Sequence, residues 1–319
     1  MKTSNVIIGA VVGAGCLVML CAGVGVIGMV GLFTARTVTV PITSTTPDLD
    51  QAQELELQVE DYADARKSFQ TKLWKVGPSP QPAPTNLQLP ATIQEVKYQS
   101  GDLSLTAYVD VAPGDNSRRP AVLFLHGGFA LDETDLQMPQ AYRDAGFIVM
   151  LPLLRGENGQ PGNFTLCYDE VDDVLAAADV LAALPYVDSD RMFIAGHSVG
   201  GVLTQLAAMA SKRFVGAASF SGLCNQHFQT DMSVIRFDAS DDVEYRMRSS
   251  LAYASSFKCP IRLYYGTQEG WLVQQTNETV QRALQAGVNI AAVAIPGDHQ
   301  SSVPSGIRSS IEFFQTLAK

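Results

Sequence analysis

A serine between glycines, followed along the chain by a carboxylate and then a histidine, could together cleave an acyl bond. Ser198 lies in Gly-His-Ser-Val-Gly, residues 196–200. An apolar run typical of a buried strand precedes it, and apolar residues at helical spacing follow it. A sharp strand-to-helix turn of this kind holds a serine hydroxyl above a sheet, and the glycines let the backbone pass close by. The pattern therefore predicts that Ser198 is a nucleophile.

A serine hydroxyl needs a base to accept its proton. The chain has four histidines. His299 follows the last predicted strand, where a catalytic loop would emerge, and it is the favoured base. We expect His197 to point away from Ser198, His126 to shape a loop at a strand end, and His227 to lie at the surface.

The base in turn needs a carboxylate to orient it, and Glu269 lies just beyond the preceding strand in "RLYYGTQEGW". Ser198, Glu269 and His299 then each follow a different strand, at the edge where open α/β sheets place their sites. Two alternatives remain. Glu269 could be an ordinary surface carboxylate, or Asp298 could be the acid, although adjacent residues seldom present side chains to each other.

The stretch "LFLHGGF" supplies candidate donors for a developing oxyanion. Backbone N–H groups of Gly128 and Phe129, together with that of Val199, could form an oxyanion hole. A glycine pair after a strand can also be no more than a tight turn, but its place after the first buried strand favours the functional interpretation.

Strands alternate with helical stretches from residue 89 onward, which predicts a mostly parallel sheet with helices on both faces. The predicted strands are "IQEVKYQ", "LSLTAYVDV", "PAVLFLH", "FIVMLPLL", "RMFIAG", "FVGAASFS", "PIRLYYG" and "NIAAVAIPG". The predicted helices cover 168–184, 198–211, 273–286 and 305–317. Residues 225–248, between two late strands, are expected to form a small lid or pocket wall. The catalytic domain is placed at 89–319.

The N-terminal part has a different character. Residues 5–33 carry no charge and are long enough to span a bilayer, which needs about 20 apolar residues. We expect residues 1–36 to be a membrane anchor or uncleaved signal segment, and this is favoured over a cleaved signal peptide, whose apolar core would be shorter. Residues 37–88 comprise a tether, an amphipathic helix over 48–75 and a proline-rich linker. This helix could dock on its own domain or pair with another copy, and docking is favoured.

Composition excludes some function classes. The net charge of −10 argues against nucleic acid as a partner, because phosphate binding needs a basic face. No metal-ligand spacing is present, so neither a metal nor a cofactor is expected. Cys167, Cys224 and Cys259 allow at most one disulfide, and buried free thiols are the favoured alternative.

In these candidate catalytic residues and the stretches around them, the chain resembles the catalytic domain of the prolyl oligopeptidase family, within the α/β-hydrolase fold. Matching stretches follow in order between residues 120 and 302: "FLHGG", "LLRGENG", "GHSVGG", "SSLAYASSFKCP", "YYGTQEGWLV" and "PGDHQSS". The resemblance implies Ser198 as nucleophile, His299 as base and Glu269 at the usual aspartate position. Phe129 departs from the proline that the family often has there. Arg155, in the Arg-Gly loop, could meet a substrate carboxylate or form a structural ion pair.

The sequence thus predicts a membrane-anchored serine hydrolase that cleaves an ester or a short peptide through an acyl-enzyme. These catalytic residues are also similar to those of dienelactone hydrolases and carboxylesterases, which act on esters. The sequence therefore does not decide between a peptide and an ester substrate. The positive-inside tendency favours a single-pass protein with its catalytic domain outside the cytoplasm. The alternative is a non-catalytic, hydrolase-like scaffold at the membrane.

Overall fold

The computed structural model describes residues 55–84, 87–115, 117–229 and 231–318 of the chain. Eight strands form a single sheet in this part. They are β1 (Ile93–Ser100), β2 (Leu103–Asp110), β3 (Arg119–Leu125), β4 (Ile148–Pro152), β5 (Val187–His197), β6 (Gly216–Phe220), β7 (Ile261–Gly266) and β8 (Ile290–Ile295). Each of the eight predicted strands is present.

Eight α-helices accompany these strands in the described residues. They are α1 (Tyr62–Ser68), α2 (Glu133–Gln137), α3 (Gln140–Asp144), α4 (Glu170–Ala183), α5 (Val199–Ala210), α6 (Asp242–Arg246), α7 (Gly270–Gln285) and α8 (Val303–Leu317). Helices α4, α5, α7 and α8 correspond to the four predicted helices, whereas the shorter ones lie in connecting segments.

The strand order across the sheet is β1-β2-β4-β3-β5-β6-β7-β8. The β1–β2 and β2–β4 pairs are antiparallel, and all other pairs are parallel. The carboxyl ends of β5, β6, β7 and β8 therefore meet at one edge, where the candidate site residues follow them.

Both faces of the sheet are covered, as continuous apolar strands require. Alternate residues of β3 enter different core clusters: Leu123 and Leu125 pack on one side, and Val122 and Phe124 on the other. The α/β fold class is confirmed, and the arrangement matches the α/β-hydrolase expectation.

The amphipathic helix that we predicted over 48–75 is much shorter in the described residues. Only α1 is helical, beginning after Asp61, whose carboxylate accepts the Ala63 N–H. Val59 breaks the predicted apolar face because it is fully exposed. Contacts with the rest of the molecule satisfy the neighbouring backbone instead: the Gln58 N–H donates to Ala252 O and that of Trp74 to Arg236 O. Docking of α1 on its own domain is as expected, with Tyr62 completely buried.

The predicted membrane anchor, residues 1–36, lies outside the described residues. Within the described ranges, none of the helices has the length and apolar character that crossing a bilayer requires.

Cys167, Cys224 and Cys259 are buried and free. Burial raises the pKa of each thiol, so the three are poor nucleophiles.

Candidate active site

Ser198 occupies the turn between β5 and α5 in a strained backbone conformation, with φ of 56° and ψ of −116°. Non-glycine residues seldom adopt positive φ, and such strain concentrates at functional sites. The Ser198 N–H donates to Phe220 O at 2.8 Å, and its carbonyl accepts from Val202. The turn is therefore held from β6 on one side and from α5 on the other.

The two flanking glycines are required by close backbone approach. A Cβ added at Gly200 would sit 2.2 Å from Leu125 O, and one at Gly196 would sit 2.3 Å from Gly200 O. Both distances are below any van der Waals contact, so no side chain fits at either position. The glycine spacing in the sequence is thus explained by how tightly α5 starts against the end of β3.

Glu269 and His299 form the contact that sequence reasoning predicted. The His299 Nδ1–H donates to Glu269 Oε1 at 2.6 Å. The other carboxylate oxygen, Oε2, accepts from Ser221 Oγ at 2.6 Å and from the Gly266 N–H at 2.7 Å. Burial alone would raise the pKa of Glu269, but the bonds from His299, Ser221 and Gly266 outweigh it and lower that pKa. Glu269 is therefore an ionised, 2% exposed carboxylate and not a surface one.

Asp298, the alternative acid, is turned elsewhere. Its Oδ1 accepts from the backbone of Gln300 and from both the backbone and the hydroxyl of Ser301. These bonds lower its pKa to about 2. Asp298 shapes the loop that carries His299 and does not contact the imidazole among the described residues.

His197 lies against His299, a contact that the sequence did not predict. Its Nε2 contacts His299 O at 2.8 Å, and the two ring centroids are 4.7 Å apart. Burial, reinforced by the charge of His299, lowers the pKa of His197 to about 4. The ring is therefore neutral at pH 7, and since a carbonyl only accepts, the Nε2 carries the proton.

Ser198 and His299 thus occupy the same edge of the sheet, because His197 is adjacent to one and bonded to the other. In the described part of the chain, no hydrogen bond joins the Ser198 hydroxyl to the His299 ring. Bonds between nucleophile and base often tighten only in the substrate complex. A cavity of about 350 Å³ opens beside Ser198, and its walls include Gln81, Gly128, Met138 and Gln300.

The oxyanion loop, residues 127–130, differs from prediction in one donor. The Phe129 N–H donates to Gln81 Oε1 at 2.9 Å, so it is already occupied. Within the described ranges, the N–H groups of Gly128 and Val199 donate no hydrogen bond. Gly128 has φ of +67°, which glycine adopts without strain. Gly128 and Val199 are therefore the donors available to an oxyanion.

Arg155 forms the structural ion pair that was one of its two predicted roles. Its Nε and Nη2 bond the two oxygens of the fully buried Asp173 at 2.9 and 2.7 Å, and Nη1 lies 3.5 Å from Asp169. The guanidinium is thereby bound to α4 and does not line the cavity beside Ser198.

His126 shapes a loop, as expected. Its Nε2 lies 3.1 Å from Glu157 Oε2, with both side chains buried. Burial alone would lower the pKa of His126, but the adjacent Glu157 carboxylate raises it to about 9. The resulting ion pair joins the end of β3 to the loop that carries Arg155.

His227, expected at the surface, is instead largely buried and stacks on Tyr245 with centroids 4.2 Å apart.

Sequence reasoning missed three residues of this site: Ser221, His197 and Gln81. Ser221 follows β6 at the same sheet edge as the others, so topology offered a signal for it. Gln81 lies in the proline-rich segment, where no local pattern distinguishes it. Among the described residues, no group of three or more His, Cys, Asp or Glu side chains could hold a metal ion.

Comparison with known proteins adds sequence evidence to this geometry. The sequence pattern of the prolyl oligopeptidase family matches residues 133–316. The acylamino-acid-releasing enzyme 2 of Oryza sativa subsp. japonica is 24% identical over 263 residues, which cover 72% of this chain and 33% of that enzyme. This chain therefore spans about a third of the rice enzyme's length.

Solved structures give the same fold. A puromycin-hydrolyzing peptidase of Mycobacterium tuberculosis superposes with a TM-score of 0.59 at 22% identity, covering 69% of this chain and 39% of that one. A Klebsiella pneumoniae protein named as a dienelactone hydrolase superposes with a TM-score of 0.52 at 16% identity, covering 70% and 98%. At these identities the likeness establishes the fold alone.

Proposed function

We propose that this chain, which belongs to the prolyl oligopeptidase family, is a serine hydrolase that cleaves ester or short-peptide bonds through an acyl-enzyme on Ser198. The observation that carries the proposal is the 2.6 Å bond from His299 Nδ1 to the buried Glu269. This bond fixes the tautomer whose Nε2 can accept a proton. A scaffold would not need such a pair beside a strained, glycine-flanked serine.

The chemistry then proceeds in two halves. Ser198 Oγ attacks the substrate carbonyl carbon while its proton passes to His299 Nε2. The carbonyl oxygen gains negative charge and accepts from the N–H groups of Gly128 and Val199, each such donor being worth about 10²–10³ in rate. His299 returns the proton to the leaving alcohol or amine. Water, deprotonated by the same imidazole, then attacks the acyl-enzyme and frees Ser198.

The substrate class is proposed as a small acyl ester or an aminoacyl or acylaminoacyl amide. The family match and the rice relative support peptide-type substrates, whereas the resemblance of the catalytic residues to those of dienelactone hydrolases and carboxylesterases supports esters. Both bonds use the same acyl-enzyme intermediate. The preference therefore depends on the cavity beside Ser198 and not on the catalytic residues themselves.

The test is turnover by the full-length protein and by Ser198→Ala, on p-nitrophenyl acyl esters and on aminoacyl and dipeptidyl anilides. Ser198→Ala should reduce turnover by roughly 10⁴-fold or more, because triad members act as a unit. A fluorophosphonate probe should label the native protein and not the variant. Ser189→Ala, at an exposed serine on β5, is the matched control and should behave as the native protein does. A folded native protein whose Ser198 stays unlabelled would support the scaffold alternative and refute the proposal.

We also propose that residues 1–36 anchor the protein in a membrane, with the catalytic domain outside the cytoplasm. The support is the uncharged apolar run over 5–33, long enough to cross a bilayer. The full-length protein should resist carbonate extraction from membranes, and protease added to intact cells with a permeable outer layer should degrade its catalytic domain. Release into the soluble fraction by carbonate would contradict the anchor.

A further inference from the structure

A nine-residue segment, Leu73–Gln81, ends at the candidate site, where Gln81 lines the cavity beside Ser198, and we call it the strap. Its first half is bound to the segment after β6. Leu73 forms an isolated β-bridge with Phe237. The Trp74 N–H donates to Arg236 O at 2.7 Å, and Arg236 Nη2 donates back to Pro78 O at 2.8 Å. Arg236 is only 3% exposed, so this attachment is largely shielded from water.

The second half of the strap is bound to the oxyanion loop. Ser79 N–H donates to Gly156 O at 2.9 Å, and its hydroxyl donates to Phe129 O at 2.6 Å. The Gln81 carboxamide then binds the same loop through both its oxygen and its nitrogen. Oε1 accepts the Phe129 N–H at 2.9 Å, and Nε2 donates to Ala130 O at 3.4 Å.

Prolines make this part of the chain stiff. Pro78, Pro80 and Pro82 alternate with Ser79 and Gln81. Each proline fixes its own φ and restricts the residue before it, so the two polar side chains are presented from a backbone with few alternatives. Phe129 stands where the related family often has proline, which lacks an N–H. The donor that binds Gln81 is therefore available in this chain and not in a relative with proline there.

Gln81 forms one wall of the cavity that contains Ser198. Its Oε1 lies 2.8 Å from the position of a Cβ built on Gly128, so the carboxamide covers the outer side of the oxyanion loop. Gln81 as a whole is solvent-exposed. The Gln81 side chain therefore contacts both the cavity and the solvent, and a longer substrate group that leaves the cavity on this side would meet it.

We infer that Gln81 is a specificity-determining residue that limits the size of the substrate group entering the cavity beside Ser198. The inference rests on the proposed function. A group that fits within about 350 Å³ is accepted with the carboxamide in place. A longer chain meets the Gln81 side chain, which the bonds to Phe129 and Ala130 hold against the loop. The strap acts as a fixed filter, and the preferred substrates carry a short acyl or alcohol group.

The experiment measures kcat/KM on two ester series with full-length protein. In one, p-nitrophenyl is constant and the acyl group grows from acetyl to octanoyl. In the other, the acyl group is butyryl and the alcohol grows from methyl to octyl. Gln81→Ala should raise the ratio of the longest to the shortest substrate by about 10-fold or more in one series, since even one methylene at a fitted pocket changes selectivity 10-fold or more.

Two variants serve as controls. Gln81→Glu keeps the side-chain length and an oxygen for the Phe129 N–H but loses the donation to Ala130 O, so its ratio should stay much closer to that of the native protein than the ratio of Gln81→Ala does. Gln88→Ala removes an exposed glutamine of the same proline-rich segment and should change nothing. If the ratio changes in the acyl series, the cavity binds the acyl group of the substrate. If it changes in the alcohol series, the cavity binds the alcohol group.

A loss of activity in Gln81→Ala that is uniform across both series would overturn the inference, because the strap would then only support the oxyanion loop. An unchanged ratio in both series would overturn it as well. Failure of the proposed function looks different, since the native protein would then hydrolyse no ester and Ser198 would not react with a fluorophosphonate.

Discussion

Replacing Glu269 by glutamine tests the orientation of His299 most directly. The native carboxylate receives three bonds, from His299 Nδ1, Ser221 Oγ and the Gly266 N–H. A glutamine has one oxygen and one NH₂ group at these positions. If the NH₂ faced Gly266, two donors would meet in a buried place, at a cost of about 1–3 kcal/mol.

The carboxamide oxygen of Glu269→Gln should therefore face Gly266 and Ser221, and its NH₂ should face His299. Nδ1 must then accept, so the proton of the neutral ring moves to Nε2. That nitrogen can no longer accept the Ser198 proton. Loss of the same orientation costs about 10⁴ in kcat in the Ser-His-Asp proteases. We expect a similar fall here, with the free energy of unfolding changed by no more than about 1–2 kcal/mol.

The assay is kcat on an activated ester, with urea unfolding measured in parallel. Glu278→Gln, on helix α7, which begins directly after Glu269, is the control and should keep native activity. Glu269→Asp restores the family's usual residue but is one methylene shorter. Its carboxylate cannot reach both Gly266 and His299 at the native distances, so kcat should fall roughly 10- to 100-fold. A folded Glu269→Gln with kcat within 10-fold of the native value would refute the reasoning.

Two further predictions concern the other histidines. His197→Phe keeps an aromatic ring but loses the donor to His299 O, so kcat should fall about 10-fold with little change in KM. His197→Gln keeps a donor and should retain more activity. An equal loss of activity in the two variants would contradict a role for the donor. Unfolding free energy should depend on pH on both sides of neutrality. His126, with its pKa raised to about 9, contributes stability that is complete below pH 6.5 and lost as pH rises to 9. His197, with its pKa lowered to about 4, causes loss as pH falls from 6.5 to 4. Each limb should have a slope near 1.4 kcal/mol per pH unit, and His126→Gln should abolish the alkaline one in urea titrations.

The sequence predicted those parts of the molecule that local pattern encodes. Alternation of apolar and polar residues identified β1 and β2, apolar runs identified the other six strands, and the glycine spacing around Ser198 identified the turn. The pairing of Glu269 with His299 followed from their places at neighbouring strand ends, since parallel topology brings such ends together.

Long-range contacts, in contrast, left no local signal. Residues 48–75 have a helical pattern, but most of the described part of that segment is not helical, because its backbone bonds to residues such as Arg236 and Ala252. The position of His197 depends on where the His299 loop returns, about a hundred residues later. Gln81 and Ser79 become informative only once the strap is seen on the oxyanion loop.

The segment from residue 55 to the strap, which includes α1, has a practical consequence for how the protein is produced. A proline-rich run before Leu89 is an obvious place to shorten the gene for expression. A protein that starts there would lack Tyr62, which is completely buried and whose hydroxyl donates a hydrogen bond to Met247 O. It would also lack Thr71, which bonds both members of the buried Arg248–Glu244 pair. The trimmed protein would expose apolar surface and a poorly compensated charge, so soluble yield should be better with a start upstream of residue 55.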